Sequence, residues 1–348
     1  MRGKANTVNQ RLSDNRIYLF DNIKFLAILL VVIGHAINFL TSESGNWLEK
    51  SMFITIYAVH MPIFIFISGL FVKPMDKSTP FPKQKVIAYV LIGVALRIIY
   101  SLLRLVLGIK PNYAVFDMYD TFAWFMWAMA VFTAVVWLFR EYNSKIFFII
   151  TLIIGCMAGY DKFLGDKLAL MRIFVFLPFF VAGYLIKPET LVNLFTKKWL
   201  KVVSALIVIG FVALFFLNHD IYPYLRPIFT GRNSYSVLND YYNYGFVVRL
   251  ACYIISAVFG LAIMCIVPNR KLGFVSTTGT KTLQIYFWHR MFLLVFEEFN
   301  VYSHIEAFTG ETIATAIYIL IAVALTFVCA LSLFSFPSKQ LLSFGKSK

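Results

Sequence analysis

The sequence predicts an all-α, polytopic integral membrane protein with about ten transmembrane helices and both termini in the cytoplasm. Three observations carry that prediction. Of 348 residues, 60% are hydrophobic and only 14% are charged, well under the roughly one quarter usual in soluble domains. The apolar residues fall into ten continuous runs, which favours helices over a barrel, whose strands would alternate in polarity. The basic residues sort by side: 20 of the 32 Lys and Arg lie in the tails and loops of one face, 6 in the loops of the other and 6 inside the runs. Cytoplasmic loops are the basic ones, so the tails are assigned inside, and this topology accounts for the basic excess without nucleic acid.

The runs lie at about 17–41, 51–72, 86–107, 119–139, 146–160, 169–186, 199–217, 245–267, 281–300 and 311–335. Domain organisation follows directly: a basic cytoplasmic tail over 1–16, one transmembrane domain over 17–335 and a second cytoplasmic tail over 336–348. Asp21 and Lys24 sit inside the first run, and no small-x-small cleavage site follows it, so it is a span and not a cleaved leader. Cys156, Cys252, Cys265 and Cys329 all lie in apolar stretches without metal-type spacing and are expected as small buried hydrophobes. The one long external loop, about 218–244, carries His219, Asp220 and six tyrosines (Tyr222, Tyr224, Tyr235, Tyr241, Tyr242 and Tyr244). Tyrosine near a bilayer is ordinarily interfacial belt; the functional alternative is an aromatic platform for a sugar ring.

Ionisable groups inside spans carry the most information, because a charge at mid-bilayer costs on the order of 2.5 to 3.5 kcal/mol on insertion scales. Lys24 and His35 are eleven residues apart, which in a helix means about 20° in azimuth and about 16 Å in depth. One face of the first helix therefore presents a cation near one boundary and an imidazole near mid-membrane, and Asp21 is placed to pair with Lys24. The alternative is a snorkelling lysine and a structural histidine. His60 in the second span and His289 in the ninth bring three of the five histidines to mid-span, together with Arg97, Arg104, Arg172, Arg249 and Arg290. A metal site is not expected: no histidine pair has ligand spacing on one helix, and no carboxylate stands three or four residues from His35 or His60. Ser68 and Ser101 lack a nucleophile-elbow context.

Several segments, taken in order, resemble the acyltransferase family 3 membrane proteins. Asp21-Asn22-Ile23-Lys24, continuing to Gly34-His35, is similar to the family's opening helix, in which Arg or Lys is followed by ten residues and then His. His60-Met61-Pro62 with Ser68-Gly69 resembles its second helix. Trp124-Phe125-Met126, Pro178-Phe179-Phe180 with Gly183-Tyr184, and Ile285-Tyr286 with His289 resemble later helices, and the branch most similar is that of fucose 4-O-acetylase. Two departures stand out: the first-helix cation is Lys24 where Arg is commoner, and Arg97 and Arg104 lie seven apart instead of forming an Arg-x-x-Arg pattern.

The resemblance implies transfer of an acyl group, usually acetyl, from cytoplasmic acyl-CoA as co-substrate to a hydroxyl of a cell-envelope or secreted polysaccharide or its lipid-linked precursor. No resident cofactor is implied, the cell membrane (a bacterial plasma membrane) is the expected location, and the polysaccharide biosynthesis machinery is the expected partner. His35 would act as general base or as a transient acyl carrier, either of which needs a neutral imidazole, and Lys24 would meet the donor phosphates. Asp21, His60, Arg97, Trp124, Arg172 and His289 are candidates for donor contacts, the oxyanion or support. His219, Asp220 and Glu297 are candidates for the acceptor cavity. The competing class is a transporter or flippase of a lipid-linked sugar, against which stands the lack of an inverted repeat.

Overall fold

In a computed structural model, residues 16–43, 45–110, 122–164 and 168–343 are described, and these are helical without strands. The helices are α1 (Tyr18–Glu43), α2 (Trp47–Tyr57), α3 (His60–Leu70), α4 (Lys83–Val106), α5 (Trp124–Leu138), α6 (Ser144–Met157), α7 (Leu170–Leu185) and α8 (Pro188–Phe195). They are followed by α9 (Lys198–Leu217), α10 (Tyr222–Phe229), α11 (Gly245–Ile266), α12 (Phe274–Thr278), α13 (Thr282–Glu298), α14 (Val301–Thr309), α15 (Glu311–Val328) and α16 (Ser338–Leu342). Among the described residues, each of the ten apolar runs contains helix. Among the described residues, six helical segments are long and apolar enough by themselves to cross a membrane. A seventh candidate joins α7 and α8, bent by 83°, while α5 and the 144–160 segment are shorter apolar helices.

The second run forms one candidate span, Trp47–Leu70, whose helix is interrupted between α2 and α3 at Ala58 and Val59. The cause is local: Pro62, with no N–H to give, sits in the first turn of α3, where its missing donor is tolerated. His60 Nδ1 meets the Ile56 carbonyl at 2.8 Å across the break. α2 begins with a capping box in which Asn46 and Glu49 exchange side-chain to backbone bonds. The buried Glu49 also accepts from Thr315 Oγ1 at 2.7 Å, tying α2 to α15.

α1 is the central helix, packed against α2, α3, α13, α15 and the 274–281 segment. Asn22 fixes its beginning by donating to the Pro268 and Arg270 carbonyls and accepting from Ser276 Oγ. α3 and α7 cross through two glycines set reciprocally. A Cβ on Gly69 would overlap the Phe180 carbonyl, and one on Gly183 would overlap the Phe66 carbonyl. Such small-residue contacts let membrane helices approach to backbone distance. This crossing brings the Pro62 turn of α3 beside α7, which carries Pro178.

The four cysteines are buried and free, as expected from their apolar settings. Trp288 Nε1 donates to the Phe336 carbonyl at 3.0 Å, and Leu342 of α16 reaches a cavity beside α1.

Candidate active site

Two cavities lie along α1, and no residue lines both. The first, of about 420 Å³, is bounded by Lys24, Ala27, Ser68, Lys85, Tyr89 and Thr282. The second, of about 190 Å³, holds His35 one helix-length segment away, with Asn38, Tyr57, His60, Trp124, Arg172, Arg232 and Arg290 in its wall. A chain of ring contacts runs from one to the other. Phe64, in the wall of the first, packs on Phe125, which packs on Tyr286, which packs on Phe122 in the wall of the second.

At the first cavity Lys24 Nζ lies 2.9 Å from Asp21 Oδ1, and Arg16 Nε lies 2.7 Å from Asp21 Oδ2. One carboxylate thus bridges two cations. Its hydrogen bond, partly opposed by burial, raises the Arg16 guanidinium above its ordinary value. Lys24 Nζ also stands 5.6 Å from the Phe71 ring centroid. The pairing expected from the three-residue spacing is present, and it holds the ammonium at the cavity wall without burying it.

At the second cavity the imidazoles converge. His35 and His289 have ring centroids 5.3 Å apart. His289 is fully buried, with Nδ1 3.0 Å from the Ile285 carbonyl and Nε2 without a hydrogen-bond partner. A carbonyl oxygen only accepts, so Nδ1 of His289 carries a proton, and when the ring is neutral Nε2 offers its lone pair. His60 is fixed in the same way, through Ile56. Tyr57 stands edge-on to His60 at 4.6 Å. The guanidinium of Arg172 lies 5.0 Å from the Trp124 ring centroid, a cation–π contact that puts two of the candidate residues together. Arg290 hydrogen-bonds Glu297, which places Glu297 behind the cavity wall as a counter-charge.

The other candidates lie elsewhere. Arg97 is buried in α4 and lines neither cavity. His219 and Asp220 pair with each other at 3.2 Å on the surface, where the Asp220 side chain is 95% exposed. The tyrosines of the long loop divide between packing and solvent, with none in the cavity wall. Tyr222 and Tyr235 are buried, Tyr235 donating to the Cys156 carbonyl at 2.7 Å, whereas Tyr224, Tyr241 and Tyr244 are exposed. The loop reaches the cavity through Phe229, Thr230 and Arg232. Buried Arg249 holds it there by donating to the Ile228 carbonyl.

Asn38, Tyr57, Arg232 and Arg290 are site residues without a role in the sequence reading. Asn38 is three residues from His35 and Tyr57 three from His60, so helical spacing could have supplied both. Among the described residues, no group of three or more His, Cys, Asp or Glu is arranged to hold a metal ion.

A family model described as an acyltransferase domain, acyltransferase family 3, matches residues 17–334. This chain belongs to acyltransferase family 3. No curated protein and no solved structure matches it. The match covers α1 to α15, with every lining residue of both cavities but Leu342, and makes the chain a multi-pass membrane acyltransferase. In this acyltransferase the paired features of the first helix, Lys24 and His35, open onto separate cavities.

Proposed function

We propose that the protein transfers an acyl group, acetyl in the first instance, from cytoplasmic acyl-CoA to a hydroxyl of an extracytoplasmic or lipid-linked saccharide of the cell envelope. One observation carries this reading: Lys24 and His35 share a face of α1 and line different cavities. The reading takes all ten apolar helices as crossing the membrane, both termini and the Lys24 cavity facing the cytoplasm, and the His35 cavity facing outward, in a bacterial plasma membrane.

A polyanionic donor is matched by Lys24 and Lys85, which supply cations where its phosphates would enter. The acyl-thioester arm then has to pass the Phe64–Phe125–Tyr286 contacts to reach His35, so those rings must part. The acceptor hydroxyl loses its proton to neutral His35, its oxygen bonds to the thioester carbonyl carbon, the C–S bond breaks, and the leaving thiolate takes up the proton. In the two-step variant, His35 nitrogen attacks the carbonyl carbon, the C–S bond breaks and the leaving thiolate takes the ring N–H proton; the acceptor hydroxyl oxygen then attacks the acyl-imidazole, the C–N bond breaks and the hydroxyl proton returns to the ring. The Nε2 lone pair of His289 is available to fix the tautomer of His35, and Arg172 and Arg290 stand where developing negative charge is stabilised.

The experiment is mass spectrometry of envelope glycans with and without the gene, combined with labelled acetyl-CoA and the protein in proteoliposomes. Loss of acetyl-sized increments from otherwise intact glycan is expected. Loss of the whole glycan, with no consumption of acetyl-CoA by the protein, would instead establish a flippase.

A further inference from the structure

A further cavity of about 190 Å³ lies between α3, α6, α7 and α11 and shares no lining residue with the two along α1. Of its lining side chains only Tyr253 and Ser256 carry a hydroxyl, and none carries an amide or a charge. Tyr253 gives its hydroxyl proton to the Val175 carbonyl at 2.8 Å. Water does not settle where it finds no polar partners. Ala257 and Leu261, in the same wall, are exposed, so the cavity opens on the flank of the bundle, where Ile254 and Val258 of α11 are exposed as well. In a membrane-spanning bundle that flank meets hydrocarbon.

Depth and charge select the occupant. On α7 the cavity runs from Pro178 to Ile186, about 12 Å at the rise of a helix, close to the roughly 15 Å that one leaflet contributes to the hydrocarbon core. Its Ile186 end lies at a boundary. There α8 leaves α7 at 83°, burying Leu191 and Phe195 and exposing Glu189 and Asn193, the pattern of a helix lying in the interface. Through Ile186 this cavity adjoins another, of about 320 Å³, whose wall holds Arg140, Ser144 and Lys187. Arg140 is engaged by the Asp76 and Trp137 carbonyls and by Glu141. Lys187 is exposed and, among the described residues, has no ion pair. An apolar slot one leaflet deep that ends at an interfacial lysine complements a hydrocarbon chain with a phosphate head.

We propose that one acyl chain of a bilayer phospholipid occupies this cavity, with its phosphate at Lys187, in the leaflet on the α8 side. The chain supplies dispersion partners that the apolar walls otherwise lack. It also buttresses the active-site helices: α3 and α7 put Met61 and Phe176 in the His35 cavity, and Pro62 and Phe179 in this one. The lipid site is independent of the acyl-transfer reading.

The test is photolabelling of the full-length protein in nanodiscs by phosphatidylglycerol and by diacylglycerol, each with a diazirine midway along one chain. Labelled residues are located by peptide mass spectrometry. Phosphatidylglycerol should label Phe148, Phe179 and Leu261 severalfold above Leu206 and Ile209, exposed residues of α9 that serve as the bulk-lipid reference. Diacylglycerol, which lacks the phosphate, should label the cavity about fivefold less, the effect of one lysine near a membrane surface. Lys187→Gln should remove that difference and leave α9 labelling unchanged. Ala257→Phe, which fills the mouth, should abolish cavity labelling, and Ala257→Ser should retain it. Labelling spread evenly between the cavity and α9, or indifferent to Ala257→Phe, overturns the lipid site. Equal labelling by the two lipids overturns the phosphate seat. A dimeric particle with the cavity residues unlabelled assigns the flank to a second copy of the chain and likewise overturns the lipid. Where Ala257→Phe fails to reconstitute, the comparison of lipids and Lys187→Gln decide.

Discussion

His35 of α1 and His289 of α13 hold their rings 5.3 Å apart and inclined by 44°, joining the two helices at the wall of the cavity. Only one of the two has its tautomer fixed by the backbone. The Nδ1 proton of His289 is committed to Ile285, which leaves Nε2 as a buried acceptor beside His35. The acyl-transfer proposal casts His289 as a positioning residue for its neighbour.

His289→Gln should accordingly lower kcat by about 10- to 100-fold, a fraction of the 10² to 10⁴ typical of acid–base groups, with the KM for both substrates nearly unchanged. The measurement is steady-state transfer in proteoliposomes. A variant that raises KM at constant kcat would show that His289 shapes substrate binding instead.

His35→Ala should abolish transfer while the protein accumulates in the membrane at normal levels. His35 is only partly buried and faces a cavity. Rapid quenching with labelled acetyl-CoA divides the two mechanisms. Label retained on the wild-type protein and absent from His35→Ala identifies acyl-histidine, and absence from both identifies general base catalysis.

Lys24→Ala should raise the KM for acetyl-CoA severalfold, because a surface-accessible ammonium contributes on the order of 1 kcal/mol to a phosphate contact. Lys24→Arg should retain most activity, since Arg keeps the charge and presents a phosphate-matching fork. Donor dependence indistinguishable from wild type in Lys24→Ala would reduce the residue to a partner of Asp21.

Gly183→Ala and Gly69→Ala test the crossing that sets the depth of the site. Alanine normally favours a helix by about 1 kcal/mol over glycine. Here each added methyl meets a neighbouring carbonyl that cannot move without its helix. Both variants should therefore be less stable by about 1 to 3 kcal/mol, the usual range for overpacking, read as a lower melting temperature in detergent. Unchanged or raised melting temperatures would mean that α3 and α7 are not in backbone contact.

The sequence by itself determined which segments are helical and which residues of α1 share a face. Both properties are local: apolar run length sets the helices, and the 3.6-residue repeat aligns Lys24, Asp21 and His35 whatever packs around them. Local spacing also carried the Asp21–Lys24 pair. It could not carry the break before His60, where the Pro62 turn divides a continuous apolar run. Nor could it separate interfacial tyrosines from the loop positions that reach inward. Thr230 and Arg232 enter the cavity because Arg249, on a different helix, holds Ile228, while His219 and Asp220 stay at the surface. The tertiary structure alone decided that His289 faces His35, that Arg172 lies against Trp124, and that three arginines from distant segments share a cavity. Such partners are chosen by helix contacts remote in sequence, and no periodicity within a single segment encodes the azimuth of its neighbour.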